Sequence, residues 1–268
     1  HMPRIFPLRV FRRLSSNALS SRARQNVEEI RSSGYTVVRD VFNDKEIETM
    51  QKEYNLARSK ALSMISQPGK ERIWYENGEE TRSMYWKDDD RVILKAGEQR
   101  YDLHAGFVDG SFFSSPTIQQ HPRFEELLNV LLPPRDSYHV RSGFIMSQPE
   151  SKAQYWHRDT DTLQHSGTKG ETLINVDDFY FTALVPLTVD FTSETGQTEF
   201  MKGSHKVTSD AFDALEMVKC NVDVGNVLLF NGKINHRGHG NVSNIERPAL
   251  YLVFHKRWYN DGFRAGVI

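Results

Sequence analysis

Cysteine is almost absent from this sequence, and it also lacks long apolar runs and an excess of charge of either sign. The single cysteine, Cys220, excludes a disulfide framework and any metal site built on several thiolates. No apolar run approaches the roughly 18 residues that a membrane-spanning helix needs. The 34 basic and 35 acidic side chains leave a net charge of -1. We therefore expect no membrane span, no general affinity for nucleic acids, and any metal ion to be held by His, Asp or Glu.

Acidic side chains are also missing from the first 25 residues, which carry six arginines and several serines. This composition is typical of an organelle transit peptide. A basic arm in solvent, or an N-terminal helix packed on the domain, fits it as well. The sequence therefore leaves two locations open, the cytoplasm or an organelle.

The rest of the chain has the composition of one folded domain, which we place at residues 26–268. Hydrophobic residues make up 38% and aromatic residues 11% of the 268 residues, enough for a sizeable core. No internal repeat or low-complexity segment is evident.

The first half of this domain shows a strand followed by helices. A β-branched run at residues 34–42 predicts a short strand. Asn43 and Glu46 then form a capping box, and apolar residues at helical spacing predict a helix through about Ser63. A second helix is predicted over residues 122–131.

The segment of residues 67–91 is polar, charged and aromatic, and we expect a long surface segment there, near a pocket. Its aromatic side chains suit either the lining of that pocket or the filling of a core: Trp74, Tyr75, Tyr85 and Trp86.

After residue 136 short strand-like runs follow one another, separated by turn clusters, at residues 138–146, 179–186, 227–230 and 249–255. Because no helix alternates with these runs, a parallel βαβ sheet is disfavoured. The pattern predicts a mainly β protein, with helices first and an antiparallel sandwich or barrel after them.

A histidine and a carboxylate stand two residues apart, at His157 and Asp159. On a strand alternate side chains share a face, so the two could reach one metal ion, with their Cα atoms about 7 Å apart. Such a triplet also occurs near strand ends that bind no metal, so the motif alone does not identify a site.

A second element, residues 231–247, strengthens the metal hypothesis. His236 follows an apolar run, and Arg247 stands at the start of the next one. Two histidines and one carboxylate on a β scaffold form the facial triad of non-haem Fe(II) oxygenases, which leaves three coordination positions open. An arginine one strand away can clamp a dicarboxylate with two parallel hydrogen bonds.

Together these elements resemble the phytanoyl-CoA dioxygenase family of Fe(II)/2-oxoglutarate-dependent oxygenases. The resemblance rests on the His-x-Asp motif at residues 157–159 and on a Gly-x-x-x-Phe-x-x-Gly-Ser-His turn at residues 196–205. It also rests on the eleven-residue spacing from His236 to Arg247. It extends over roughly residues 34–255.

The resemblance implies a double-stranded β-helix (jelly roll) with N-terminal and flanking α-helices packed on it. It implies Fe(II) held by His157, Asp159 and His236 as the catalytic centre, 2-oxoglutarate held by Arg247, and O2 as the second co-substrate. Phe181 is expected beside 2-oxoglutarate. The implied reaction oxidises an unactivated C–H bond of a small organic substrate and releases succinate and CO2.

Two positions depart from the family pattern. Gly238 stands where many relatives carry a serine, so we expect a hydroxyl contact to the co-substrate to be missing or to come from Thr198. Gln148-Pro149 replaces Lys-Pro, which makes that side of the pocket less positive. This favours a small natural-product or amino-acid-derived substrate over a polyanionic CoA ester. We expect residues 160–178, a long polar segment, to select it.

Two other functions stay open. One is a cupin-type metal dioxygenase that uses no 2-oxoglutarate, and the other is a non-catalytic jelly-roll binding module. Arg247 disfavours the first, and the complete ligand set disfavours the second. Hydroxylation, desaturation and oxidative cyclisation are not separated by these ligands, and the oligomeric state is not predicted.

Overall fold

The computed structural model describes residues 19–69, 71–76, 79–88, 91–104, 107, 118, 121–133, 138–160 and 176–259. Three α-helices lie in these ranges: α1 (Ser21–Ser33), α2 (Asp44–Ile65) and α3 (Pro122–Leu131). None of them combines the length and the apolar character that crossing a membrane requires.

Twelve strands lie in the same ranges: β1 (Tyr35–Val38), β2 (Glu71–Glu76), β3 (Glu79–Asp88), β4 (Arg91–Gly97), β5 (Arg100–Leu103), β6 (Tyr138–Ser147), β7 (Tyr180–Pro186), β8 (Thr198–Met201), β9 (Met217–Cys220), β10 (Val227–Asn231), β11 (His236–Gly238) and β12 (Arg247–Lys256). Nine form a major sheet in the order β1-β10-β7-β12-β6-β5-β4-β3-β2, and three form a minor sheet in the order β11-β8-β9. The described strand pairs are antiparallel.

Two packed layers of side chains make up most of the core, and a third, smaller cluster includes Tyr180 and Tyr259. One layer lies between the helices and the outer face of the major sheet and includes Met50, Phe124 and Leu252. The other lies between the two sheets and includes Phe200 and Phe230. The predicted mainly β jelly roll with α-helices packed on it is confirmed.

Strand β12 shows how the sequence assigns side chains to these layers. Leu250, Leu252 and Phe254 pack in the helix-facing layer, whereas Arg247 and Tyr251 line a cavity on the inner face. Because alternate residues of a strand point to opposite faces, one run of ten residues builds both the core and a wall of the cavity.

The predicted capping box at the start of α2 is present. The side chain of Asn43 accepts a hydrogen bond from the Glu46 amide at 3.1 Å, and the Glu46 carboxylate accepts one from the Asn43 amide at 2.9 Å. The helix continues to Ile65, slightly beyond the predicted end.

The surface segment predicted at residues 67–91 is largely made of strands β2 and β3 at one end of the major sheet, and its residues 67–69, 71 and 87 are exposed. Aromatic residues favour strands, and here that preference outweighs the many charges around them. Trp86 is buried in the helix-facing layer, whereas the side chains of Trp74 and Tyr75 lie outside the described residues. Residues 1–18 of the basic N-terminal segment also lie outside them, and residues 21–25 begin α1.

Candidate active site

The two predicted histidine ligands are held together by their own main chains. The His157 amide donates to the His236 carbonyl at 2.9 Å, and the His236 amide donates to the His157 carbonyl at 2.9 Å. His236 is the first residue of β11, whereas His157 forms an isolated bridge rather than part of a longer strand. The pairing places the centroids of the two imidazole rings 4.4 Å apart.

Asp159 completes the cluster. Its amide donates to the Gly232 carbonyl at 3.0 Å, which anchors the turn after His157. Its Oδ1 lies 3.8 Å from Nε2 of His236. One candidate ligand atom from each of His157, Asp159 and His236 lies within 4.8 Å of the other two. The three side chains predicted to hold the metal therefore converge on one point.

Hydrogen bonds orient these side chains for metal binding. Nδ1 of His157 lies 2.9 Å from the Tyr155 carbonyl, and Nδ1 of His236 lies 3.1 Å from the Ile234 carbonyl. A carbonyl can only accept, so each Nδ1 acts as the donor, and in a neutral ring this leaves the lone pair on Nε2. Neutral imidazoles with Nε2 available, supported from behind in this way, are the usual ligands of divalent transition metals.

Burial supports the same protonation state. Burial lowers the pKa of His236, and the neighbouring His157 lowers it further, whereas Asp159 acts in the opposite direction. The neutral form, which is the form that binds a metal, is therefore favoured at His236. The donor set of two imidazoles and one carboxylate fits Fe(II) or a similar divalent ion.

Thr182 on β7 fixes the carboxylate ligand, since its hydroxyl donates to Oδ2 of Asp159 at 2.6 Å. We expect Thr182→Val, which removes this hydroxyl but keeps the shape, to weaken Fe(II) binding by about 10–100-fold, as is typical for groups that orient metal ligands. Calorimetric titration with Mn(II), used as an air-stable substitute for Fe(II), measures the change in metal affinity.

The matched control for this prediction is Thr36→Val. Thr36 is a buried threonine of β1 whose hydroxyl hydrogen-bonds to Glu29 and Asn26. This variant should lose stability without losing metal affinity. Equal metal affinity in the Thr182 variant and the wild type would contradict the orienting role.

Arg247 lies in the wall of the cavity that the three candidate ligands line. Its guanidinium donates to the Ser147 hydroxyl at 2.9 Å. Its Cζ atom lies 4.7 Å from the centroid of the Phe191 ring. Within the described residues no Asp or Glu pairs with it. Burial lowers the pKa of Arg247 to about 9, and the positive charge of Arg100 contributes in the same direction. The side chain therefore stays charged at neutral pH and presents a buried cation to the cavity.

Of the other two residues predicted near 2-oxoglutarate, Thr198 lines the cavity but Phe181 does not. Phe181 packs in the helix-facing core with Ala183 and Val185, so its prediction is wrong. Thr182 and Leu184, the alternate residues of β7, face the cavity instead. A shift of one residue along a strand exchanges the two faces of the sheet, and the strand pattern alone does not set that parity.

Sequence reasoning missed a polar face beside the cavity, formed by alternate residues of β5 and the residue after it. Arg100, Asp102 and His104 alternate with Tyr101 and Leu103, and all three are buried. Asp102 lines the cavity, and its carboxylate lies 2.9 Å from Nε2 of His104.

Nδ1 of His104 in turn lies 3.4 Å from the hydroxyl of Tyr251, another residue of the cavity wall. The alternation Arg-x-Asp-x-His at residues 100–104 could have revealed this face, because polar residues at every second position of a strand point to the same side. Most of the segment expected to select the substrate, residues 161–175, lies outside the described residues.

Two fungal proteins that are named as dioxygenases are similar to parts of this chain. Dioxygenase hkm4 of Aspergillus hancockii is 34% identical over 169 residues, which cover 60% of this chain and 52% of that protein. The Fe(II)/2-oxoglutarate-dependent dioxygenase nvfF of Aspergillus novofumigatus is 33% identical over 132 residues, 47% of this chain and 42% of that protein. The matched regions thus span about half the length of these curated relatives.

Solved structures share the fold at low sequence identity. The carbocyclase SnoK from nogalamycin biosynthesis, described as non-heme and alpha-ketoglutarate-dependent, superposes with a TM-score of 0.62 at 17% identity, covering 94% of this chain and 92% of SnoK. HygX of Streptomyces hygroscopicus, solved with nickel and 2-oxoglutarate bound, gives a TM-score of 0.55 at 18% identity, with 89% of each chain covered.

The family model described as phytanoyl-CoA dioxygenase (PhyH) matches residues 30–249, which is most of the chain and includes the three candidate ligands and Arg247. This protein therefore belongs to the phytanoyl-CoA dioxygenase family.

Proposed function

We propose that this protein is an Fe(II)- and 2-oxoglutarate-dependent oxygenase that oxidises an unactivated C–H bond of a small organic substrate, with release of succinate and CO2. One observation carries the proposal. Two imidazoles and a carboxylate converge on a cavity whose wall also contains a buried guanidinium with no acidic partner among the described residues. The first group suits a divalent metal and the second suits a dicarboxylate.

The roles of the side chains follow from their positions. His157, Asp159 and His236 would hold Fe(II) on one side, and Arg247 would bind the distal carboxylate of 2-oxoglutarate. The bound iron supplies the activation of O2, a chemistry that protein side chains lack. Thr198 of β8 lines the same cavity and offers a hydroxyl to the co-substrate.

Part of the remaining lining of the cavity is apolar: Ile145, Leu184, Phe230, Ala249 and Val253. Such a lining limits the access of water and leaves room for the hydrocarbon part of a substrate. The chain thus provides binding, orientation and exclusion of water around the metal.

The comparisons support this function and a natural-product substrate. The curated relatives are named as dioxygenases, one of them as Fe(II)/2-oxoglutarate-dependent. Structural neighbours include enzymes of nogalamycin biosynthesis. We propose a small natural-product or amino-acid-derived substrate, and hydroxylation, desaturation or oxidative cyclisation as the reaction.

Anaerobic titration tests the metal and the co-substrate together. Adding Fe(II) and then 2-oxoglutarate to the protein should produce the weak visible charge-transfer band of the chelated co-substrate. His157→Ala, the control, should show no band. After admission of O2, succinate should form in a manner that depends on 2-oxoglutarate, and a screen of small molecules should then identify substrates that accelerate it.

Two outcomes would contradict the proposal. Substrate oxidation that proceeds without 2-oxoglutarate would instead indicate a cupin-type metal dioxygenase. Failure of the folded protein to bind Fe(II) would indicate a binding module that has kept the jelly roll without the chemistry.

A further inference from the structure

A second buried guanidinium lies directly behind the cavity wall. Arg100 is the first residue of β5 and is completely buried. Its Nη1 donates to the Gly238 carbonyl at 3.1 Å, and its Nη2 donates to the His239 carbonyl at 2.5 Å. The guanidinium therefore ties the end of β11, the strand that begins with His236, to the major sheet.

The position of the Arg100 guanidinium requires a glycine at residue 238. It lines the cavity, and a Cβ atom added to it would lie only 2.2 Å from Nη1 of Arg100. A contact this short is impossible without displacing the guanidinium. Residue 238 therefore has no room for the serine hydroxyl considered in the sequence analysis, and Arg100 occupies the space behind the bare backbone.

The register of the major sheet places Arg100 and Arg247 in one row. Ser147 of β6 is the direct neighbour of Arg100 on one side and of Arg247 on the other. Directly opposed residues share a face of the sheet, and neighbouring strands are about 4.8 Å apart, so the Cα atoms of the two arginines are about 10 Å apart on the same face. Arg100 is thus close to the residue proposed to bind the distal carboxylate.

Asp102, the acid on the same face of β5, lies 2.9 Å from Nε2 of His104 and forms no ion pair with Arg100. Within the described residues neither guanidinium has an Asp or Glu as an ion-pair partner, and the Nε atoms of both lack a hydrogen-bond partner. Burying two like charges so close together is costly unless an anion compensates them. A carboxylate that reaches this end of the cavity, as the distal one of 2-oxoglutarate would, provides part of that compensation.

We infer that Arg100 is a positioning residue for the co-substrate, whose buried positive charge behind Gly238 joins that of Arg247 in selecting a dicarboxylate 2-oxo acid over a monocarboxylate one. This rests on the proposed function. Arg100 does not line the cavity. It acts through the field of its charge in a low-dielectric wall and through the Gly238–His239 backbone that it holds.

Calorimetric titration of the Ni(II)-loaded protein tests this inference without relying on turnover. The two probes are 2-oxoglutarate and 2-oxobutyrate, which share the metal-chelating 2-oxo acid but differ in the distal carboxylate. Arg100→Met should weaken 2-oxoglutarate binding by about ten-fold, which corresponds to about 1.4 kcal/mol. The same variant should change 2-oxobutyrate binding by less than about two-fold, because that ligand carries no distal charge.

Arg100→Lys is the matched variant, since it keeps the charge but loses the fork that holds two carbonyls. It should retain most of the preference for 2-oxoglutarate. Arg100→Gln gives a second neutral variant, whose amide can still donate to one of the two carbonyls, and we expect the same selective loss of 2-oxoglutarate binding there.

Each remaining outcome has a distinct meaning. Unchanged 2-oxoglutarate affinity in whichever of Arg100→Met and Arg100→Gln folds would overturn the inference. Equal weakening of both probes would also overturn it, because that result indicates a purely structural role. Failure of the wild type to bind 2-oxoglutarate would instead refute the proposed function, so the two failures are distinguishable.

Discussion

Replacing His236 with alanine should abolish 2-oxoglutarate-dependent turnover, because it removes one of three side chains proposed to bind the iron. Loss of a group that only orients a ligand already costs about 10–100-fold in metal affinity, so loss of the ligand itself should cost more than about 100-fold. Equilibrium dialysis with Fe(II) under anaerobic conditions measures the affinity, and succinate release measures turnover.

A folding check and a control variant distinguish loss of the metal ligand from misfolding. His236 is buried between Phe200 and Phe230, so its loss leaves a cavity, and thermal unfolding must show that the variant is still folded. His239→Ala is the control variant, since this partly exposed histidine, three residues away, is not a candidate ligand. If His236→Ala folds and keeps normal iron binding, the proposed metal centre is wrong.

Replacing Arg247 with alanine should raise the KM for 2-oxoglutarate by about 100-fold or more. Removing one partner of a buried, charge-assisted pair typically costs about 2–5 kcal/mol. The loss should appear mainly in the co-substrate dependence, with Fe(II) affinity little changed, because Arg247 is not among the candidate ligands. Steady-state succinate formation at varied 2-oxoglutarate measures the effect.

Arg247→Lys separates charge from geometry. An ammonium keeps the positive charge but cannot form the two parallel hydrogen bonds of a guanidinium, so an intermediate KM is expected. Wild-type dependence on 2-oxoglutarate in Arg247→Ala would show that the co-substrate binds elsewhere, whatever the fate of the metal site.

Local spacing predicted those parts of the protein that depend on near neighbours in sequence. The capping box of Asn43 and Glu46 needs only three residues of chain, and it forms as predicted. The convergence of His157, Asp159 and His236 was predicted because a known ligand combination occurs in a known order on β-rich segments. The side chains meet even though His157 and Asp159 lie on an isolated bridge and a turn rather than on a strand.

The side of the sheet on which a residue lies could not be predicted, because it depends on how distant strands pair. The side on which Phe181 falls is decided by the register of β7 against β10 and β12, which joins residues far apart in the chain. The same holds for Arg100, whose importance appears only when β5 is seen beside β6 and β12. The strands within residues 67–91 were not predicted for a different reason, because charged residues have the same pattern in an edge strand as in a loop.

The reciprocal pair of main-chain hydrogen bonds between His157 and His236 has a consequence for how the site fills. Because main-chain hydrogen bonds hold the two imidazoles side by side, metal binding should require little additional ordering of the chain. A preorganised set of this kind accepts whichever divalent transition metal the surroundings offer and does not by itself discriminate in favour of iron. The ion that occupies the protein after purification should therefore reflect the metal supply of the host cell as much as the preference of the site.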